Sequence, residues 1–326
     1  MRKAIVMNDA FVKWIVRNSP SRHLADYVAN EHRKTIKPEI CWVRCSIDGI
    51  HFRLKVDTSE VHGYILSMYG LLEPELSFFI RRLLVENDFF LDIGANVGYY
   101  SVLASKVNPK CQIYAFEPTP VTFAVLQENI LSNQPCVIRA EQMALGQRTG
   151  VLKFDIYADK ALNSVNVDER HPFFEAGPVA VLDVPCAKLD DYLSENDLPI
   201  PDVVKLDVEG YEYFVLHGAT SMLASIQAPI LFCEVEPLWL KRFGLSSDAL
   251  IDWIEGFGYR SFAITQSGMI PREEIEPGSA RGDFVFAKKA RIDELKVINE
   301  AYCTRRRKAK TQLRKVLRPF WRFLKS

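Results

Sequence analysis

The chain has no run of about 18 consecutive apolar residues, so no membrane-spanning helix is expected. Its first residues, "MRKAIVMNDAFVKWIVRNSP", are basic enough for a secretory signal but lack an unbroken apolar segment, so none is expected. Cysteine is sparse: seven residues, an odd number without dense spacing, exclude a disulfide scaffold. Cys41 and Cys45 have neither a second pair nor histidines near them, and read as strand residues rather than zinc ligands. Reduced thiols in a cytoplasmic compartment are the resulting expectation. Net charge is also missing, with 41 basic against 41 acidic residues, but the balance is uneven. Ten basic residues and no acidic one lie between Arg305 and Ser326, which leaves the rest of the chain acidic.

A hydrophobic share of 48% supports a buried core. Residues 1–69 read as an N-terminal extension, with a helix from Phe11 to Val28 and a hairpin turning at Asp48-Gly49. A helix follows in "EPELSFFIRRLLVE", with Pro74 near its start. Short apolar runs then alternate with helical patterns: "FFLDI", "QIYAFE", "CVIRAEQM", "VVKLDV", "PILFCEVE", "YRSFAI" and "DFVFAKK". One helix is expected over Tyr211 to Ala224. This pattern predicts an α/β domain over 70–290 with a doubly wound, mostly parallel sheet. Residues 144–190 interrupt it with two strands around a long polar loop that reads as a lid or substrate contact.

The first strand runs into "DIGANVG". In such sheets, ligands sit beyond the carboxyl ends of the strands. Gly94 and Gly98 permit a tight turn with Ala95 and Asn96 between them. The spacing is G-x-x-x-G, without the third glycine of a dinucleotide fingerprint. Asp92 beside the turn would repel a phosphate and suit a cation. Glu117 ends the second strand 23 residues after Gly94, where an acid commonly accepts from ribose hydroxyls. Together these features point to a cationic, ribose-bearing ligand without phosphates: S-adenosylmethionine. Met143 and Ala144, with Gln142, are candidates for the adenine turn, and a plain β-edge turn is the alternative.

"LDIGANVGYYS", "FEPTP", "ALGQRTG", "KLDVEGYE" and "LFCEVEP", in this order, resemble the FkbM-type family of S-adenosylmethionine-dependent methyltransferases. The resemblance covers about Gly70 to Lys288. It implies a class I, Rossmann-like methyltransferase sheet of seven strands with the last antiparallel, and O-methylation of sugar or polyketide hydroxyls.

Methyl transfer from a sulfonium requires alignment of the acceptor and removal of its proton. Asp207, Glu209 and Glu234 are the catalytic candidates, with Lys205 on the side of Asp207. The alternatives are a structural Lys205–Asp207 ion pair and a helix-capping Glu209. Asp207 and Glu234 could share Mg²⁺, although no compact ligand cluster is legible and no metal residue is assigned. Glu236, His171, His217 and the amides of "LNSVN" (162–166) are weaker candidates. Residues 291–326 form a basic amphipathic tail, with Leu313, Val316, Leu317, Phe320 and Trp321 on one face, and Pro319 is expected to bend or divide its helix. Peripheral contact with the inner membrane face is one reading of that tail, and packing on the body is another. The expected partner is a hydroxyl-bearing small molecule or glycan, not nucleic acid. An RNA methyltransferase, a nicotinamide-dependent oxidoreductase and a non-catalytic membrane-docked protein are the rival classes.

Overall fold

A computed structural model describes residues 32, 37–85, 89–157, 163–166 and 177–323, with the backbone alone from 309 onward. The helix expected over Phe11 to Val28 lies outside the described residues. Strands β1 (Ile40–Ile47) and β2 (Ile50–Asp57) form the expected antiparallel hairpin. Asp48 and Gly49 turn it at φ 48° and 83°. Val43, Cys45 and Ile47 alternate inward with Phe52, Leu54 and Val56. Helix α1 (Val61–Tyr69) follows, then α2 (Pro74–Leu83).

The main sheet begins with β3 (Phe89–Ile93), α3 (Tyr99–Val107), β4 (Gln112–Phe116), α4 (Pro120–Ser132) and β5 (Ile138–Glu141). An insertion carries β6 (Ala144–Leu145), β7 (Gly150–Ile156), β8 (Ser164–Val165) and β9 (Ala180–Ala187), then α5 (Leu189–Glu195). The main sheet resumes with β10 (Val203–Leu206), α6 (Glu212–His217), α7 (Thr220–Ala224), β11 (Ile230–Val235), α8 (Pro237–Lys241) and α9 (Ser247–Glu255). It ends with β12 (Tyr259–Thr265), β13 (Gly268–Pro271), β14 (Gly282–Lys288) and α10 (Ile292–Phe323).

The strand order is β13-β12-β14-β11-β10-β3-β4-β5. Strands β5, β4, β3, β10 and β11 run parallel, and β14 is antiparallel between β11 and β12. The seven expected strands are all present, and the short β13 adds an eighth at the edge. The insertion forms its own sheet in the order β6-β9-β7-β8. The single helix expected over Tyr211 to Ala224 is divided at Gly218, which packs so closely that a Cβ there would lie 2.1 Å from the Gly146 carbonyl.

Strand alternation sorts the core onto two faces. Phe89, Leu91 and Ile93 pack with α5, α6 and α9 residues on one face, while Phe90 packs with the hairpin, α2 and α3 on the other. The hairpin is fixed by α4. Asn129 accepts from the Lys55 N–H at 2.6 Å and donates to the carbonyls of Lys55 (3.1 Å) and Val97 (2.8 Å). Asn133 accepts from the Arg53 N–H and donates back to its carbonyl. Two amides thus satisfy the edge of β2, and Asn129 also reaches the turn after β3.

The start of α10 packs on the body through Ile292, Leu295, Ile298 and Tyr302. Arg305 pairs with Asp48 at 2.5 Å and Arg306 with Glu75 at 3.6 Å, so part of the basic run is paired with the body. The helix continues through Pro319 without dividing, and the side chains of its amphipathic end lie outside the described ones. No described helix is long and apolar enough to cross a membrane. All seven cysteines are free, and burial pushes the Cys45 thiol up to about 12.

Candidate active site

Strand order reverses between β3 and β10, and a crevice opens at their carboxyl ends. The empty space in and above it is about 1030 Å³, open solvent at its mouth included. The turn after β3 forms its floor. Gly94 sits at φ 79°, and a Cβ there would lie 1.8 Å from the carbonyl oxygen of Asp207. A residue with a side chain therefore could not let the ends of β3 and β10 approach so closely. The N–H groups of Gly94 and Ala95 both donate to the Phe116 carbonyl, at 3.0 and 2.9 Å, which ties the turn to β4.

Glu117 is 7% exposed and faces the same space. Its Oε2 accepts from the Asn96 N–H at 3.2 Å, and its Oε1 accepts from the N–H and hydroxyl of Thr119 at 2.9 and 2.6 Å. Burial pushes its carboxyl above the usual range, against those donors and Lys205. Met143 and Ala144 wall the crevice beyond Glu117, and Phe154 and Val165 of the smaller sheet, with Asn163 just before β8, contribute a further side.

Six of the eight expected cofactor residues (Gly94, Ala95, Asn96, Glu117, Met143 and Ala144) line the crevice. Asp92 and Gly98 do not. Asp92 is fully buried behind the turn and accepts from the Ser101 hydroxyl at 2.5 Å. An aspartate at that point of β3 belongs to the face covered by α3, and its carboxylate meets that helix. Gly98 starts α3 at φ 87° and packs against Leu126. Gln142 is exposed and lies off the crevice wall.

The acceptor side is built on one face of the sheet. Parallel register sets Lys205 beside Asp92, and antiparallel register sets Glu234 beside Asp283. With Asp207, these residues make a polar row across β3, β10, β11 and β14. Glu73, at the start of α2, lies over it and accepts from the Tyr100 hydroxyl at 2.6 Å. Lys205 donates to Asp207 at 3.0 Å. Burial alone would lower its ammonium, but the carboxylates of Asp207, Asp92 and Glu73 outweigh that and raise it. Burial pushes Asp207 up, but the charge and hydrogen bond of Lys205, with smaller contributions from its neighbours, together outweigh this and hold its carboxyl below the usual carboxylate range. Burial, reinforced by the Asp207 charge, holds Glu209, Glu234 and, with Glu73, Asp283 well above it. The row thus holds a Lys205–Asp207 ion pair among carboxyl groups whose charged forms burial disfavours.

Of the catalytic candidates, Asp207 and Glu209 line the crevice; Glu234 stands behind Asp207. Glu209 does not cap the following helix. It sits at φ 56° with Gly210 at 94°, and this double turn delays α6 to Glu212. Glu212 takes the backbone role: its Oε1 accepts from the N–H groups of Val208 and Gly210 at 3.0 and 3.2 Å. Carboxylate oxygens of Asp207, Glu212 and Glu234 lie within 4.8 Å of one another, a convergence compact enough for a divalent cation. The sequence showed two of these three.

His217 stacks on Trp253 at 4.3 Å, away from the crevice, and burial lowers its imidazole. Glu236 caps α8 and pairs with Arg281 at 3.4 Å. His171 lies outside the described residues. Within "LNSVN", Asn163 lines the crevice while accepting from the Tyr157 N–H at 2.8 Å, and Ser164 accepts from Arg242. The sequence reading missed His62, Glu73, Thr119 and Glu212. Thr119 was visible in "FEPTP", and Glu212 as an acid at the start of an apolar helix. Nothing near His62 or Glu73 in sequence marks them.

Glu212 gives a pH test. It is 1% exposed, and burial raises its carboxyl to about 7. Between about pH 4.5 and 7 the unfolded chain has released this proton while the folded chain holds it, so stability falls as pH rises. Glu212→Gln keeps an acceptor for Val208 and Gly210 but does not titrate. Urea unfolding at pH 5 and pH 8 should show the variant gaining up to about 3 kcal/mol on the parent across that range. A constant difference at both pH values would refute the buried proton.

A doubly wound sheet in this strand order, with a glycine turn and acidic strand end at its switch point, defines a class I methyltransferase. The chain matches the family model described as Methyltransferase FkbM domain over residues 92–261. It belongs to this family of S-adenosylmethionine-dependent methyltransferases. It is similar to Methyltransferase 1 of Beauveria bassiana, 30% identical over 146 residues, which are 41% of this chain and 59% of that protein. Hexuronic acid methyltransferase AglP of Haloferax volcanii is 29% identical over 208 residues, 64% of this chain and 79% of that protein. 2-O-methyltransferase NoeI of Sinorhizobium fredii is 25% identical over 205 residues, 58% of this chain and 82% of that protein.

Proposed function

We propose that the protein transfers the methyl group of S-adenosylmethionine to a hydroxyl of a neutral sugar or sugar-bearing metabolite. The observation that carries this reading is the charge of the crevice. Its walls present the carboxyl groups of Glu73, Glu117, Asp207 and Glu209 and, among the described residues, one lysine ammonium, Lys205, already paired with Asp207. Such walls attract a sulfonium and offer acceptor oxygens to hydroxyl groups, while a second anion would be repelled. Asp207, paired with Lys205, accepts a hydrogen bond from a neighbouring hydroxyl of the acceptor. Glu209, whose charged form burial disfavours, lies beside it on the crevice wall. Glu234 supports Asp207 from behind. Two relatives are named for methylating a hexuronic acid and a 2-O position, which favours oxygen as the acceptor atom.

The test is incubation with methyl-labelled S-adenosylmethionine and a panel of neutral methyl glycosides, methyl glycosides of uronic acids with a free carboxylate, short RNA and aliphatic amines. Label is expected as an O-methyl ether on neutral glycosides, with uronates about tenfold slower, the cost of roughly one screened charge pair. Label in RNA or on nitrogen, with the glycosides unmodified, would overturn the proposal.

A further inference from the structure

We propose that His62, which lies outside the residues matched to the family, is the general base that takes the proton from the acceptor hydroxyl. This rests on the reading that the acceptor is a hydroxyl. His62 lies in the first turn of α1 and lines the crevice beside Glu73, Lys205, Asp207 and Glu209.

Its placement is built in. A Cβ on the next residue, Gly63, would lie 2.0 Å from the carbonyl oxygen of Asp57 at the end of β2, so glycine alone lets α1 start against the hairpin. The Glu60 N–H donates to that same carbonyl at 3.1 Å, and the Tyr64 N–H donates to Glu60 at 2.9 Å. At the other end of α1, Gly70 turns at φ 64° and its carbonyl accepts from the Ser46 N–H at 2.9 Å. Both ends of the helix are therefore fixed to a hairpin that Asn129 and Asn133 fix to α4. A histidine on so constrained a helix is held for use.

The other groups on that wall are poor bases. Asp207 is tied to Lys205 at 3.0 Å. Burial, with Asp207 and Glu212 beside it, disfavours the charged form of the Glu209 carboxyl. Glu73 accepts from the Tyr100 hydroxyl at 2.6 Å. Imidazole is the side chain suited to accept a proton near neutrality. His62 and Asp207 both line this crevice. In the transfer, the acceptor oxygen bonds to the methyl carbon as the carbon–sulfur bond breaks. The bonding pair goes to sulfur, giving S-adenosylhomocysteine. The hydroxyl proton passes to a ring nitrogen of His62 and from there to water. Asp207 steadies the imidazolium that forms.

The experiment compares His62→Gly and His62→Gln with the parent for S-adenosylhomocysteine binding and for turnover of the best methyl glycoside of the panel. We expect kcat to fall about 10²- to 10³-fold in both variants, the usual yield of general base catalysis. Product affinity should stay within about threefold, because His62 is not part of the cofactor turn. Added imidazole should restore the glycine variant saturably and leave the glutamine variant unchanged. A loss of less than about fivefold, or a loss that imidazole does not repair, overturns the proposal. Loss of product binding together with turnover assigns His62 a structural role and overturns it too. If the parent methylates amines and no glycoside, the hydroxyl reading fails by itself. The variants assayed on that amine then decide separately: an unchanged rate overturns the base, and loss with imidazole rescue sustains it.

Discussion

Gly94→Ala should remove cofactor binding and lower the melting temperature by about 10 °C, the largest effect expected of any one-atom addition to this protein. Two costs combine. A non-glycine residue at φ 79° carries roughly 1–2 kcal/mol of left-handed strain. The added Cβ would also lie 1.8 Å from the carbonyl oxygen of Asp207, a backbone atom that cannot rotate away. The clash would separate β3 from β10, and with them the Lys205 Nζ from the Gly94 carbonyl, now 3.5 Å apart. Gly98→Ala provides the comparison. Its φ is 87°, so the strain is similar, but its Cβ would meet the end of the Leu126 side chain, which can move. Thermal unfolding and S-adenosylhomocysteine titration of both variants check the order: equal losses, or a milder loss at Gly94, would show that the approach of β3 to β10 does not govern the site.

That comparison also shows which parts of the molecule were legible in the sequence. Glycine turns, strand ends and the acid after β4 are local features: spacing along "DIGANVG" and "FEP" is enough to place them. Strands β3, β10 and β11 were legible because they are buried on both faces and read as unbroken apolar runs. Helix α1 was not. "VHGYILSMY" contains a glycine and β-branched and aromatic residues, and it forms because it is fixed to the hairpin, an effect of tertiary packing that propensity does not capture. The site was missed wherever it depends on such packing. His62 and Glu73 reach the crevice from over a hundred residues before Asp207, His62 through the hairpin's seat on α4 and Glu73 through the Tyr100 hydroxyl of α3. Asp92 was read as a ligand because it adjoins the turn. Strand alternation instead points it to the face covered by α3, where Ser101 receives it. The compact carboxylate trio needed Glu212, whose role depends on two successive positive-φ residues that the sequence "EG" only half reveals.

Glu117→Gln should weaken S-adenosylhomocysteine binding about 30- to 150-fold while leaving the protein folded, since a hydrogen bond to a charged group contributes roughly 2–3 kcal/mol. The geometry fixes how the loss arises. An ionised carboxylate offers about four acceptor positions. Thr119 takes two on Oε1 and the Asn96 N–H takes one on Oε2, which leaves one position on Oε2 directed to the crevice. A ribose hydroxyl fits that position. An amide there fails either way it is turned. With its NH₂ in place of Oε2 it opposes the Asn96 N–H and offers the ribose a donor. With its NH₂ in place of Oε1 it opposes both donors of Thr119. Calorimetric titration with S-adenosylhomocysteine, with NAD in parallel, measures the effect. Unchanged product affinity in the variant would remove Glu117 from the cofactor site. Tight NAD binding in the parent would contradict the turn itself, whose G-x-x-x-G spacing and acidic neighbours leave no place for a pyrophosphate.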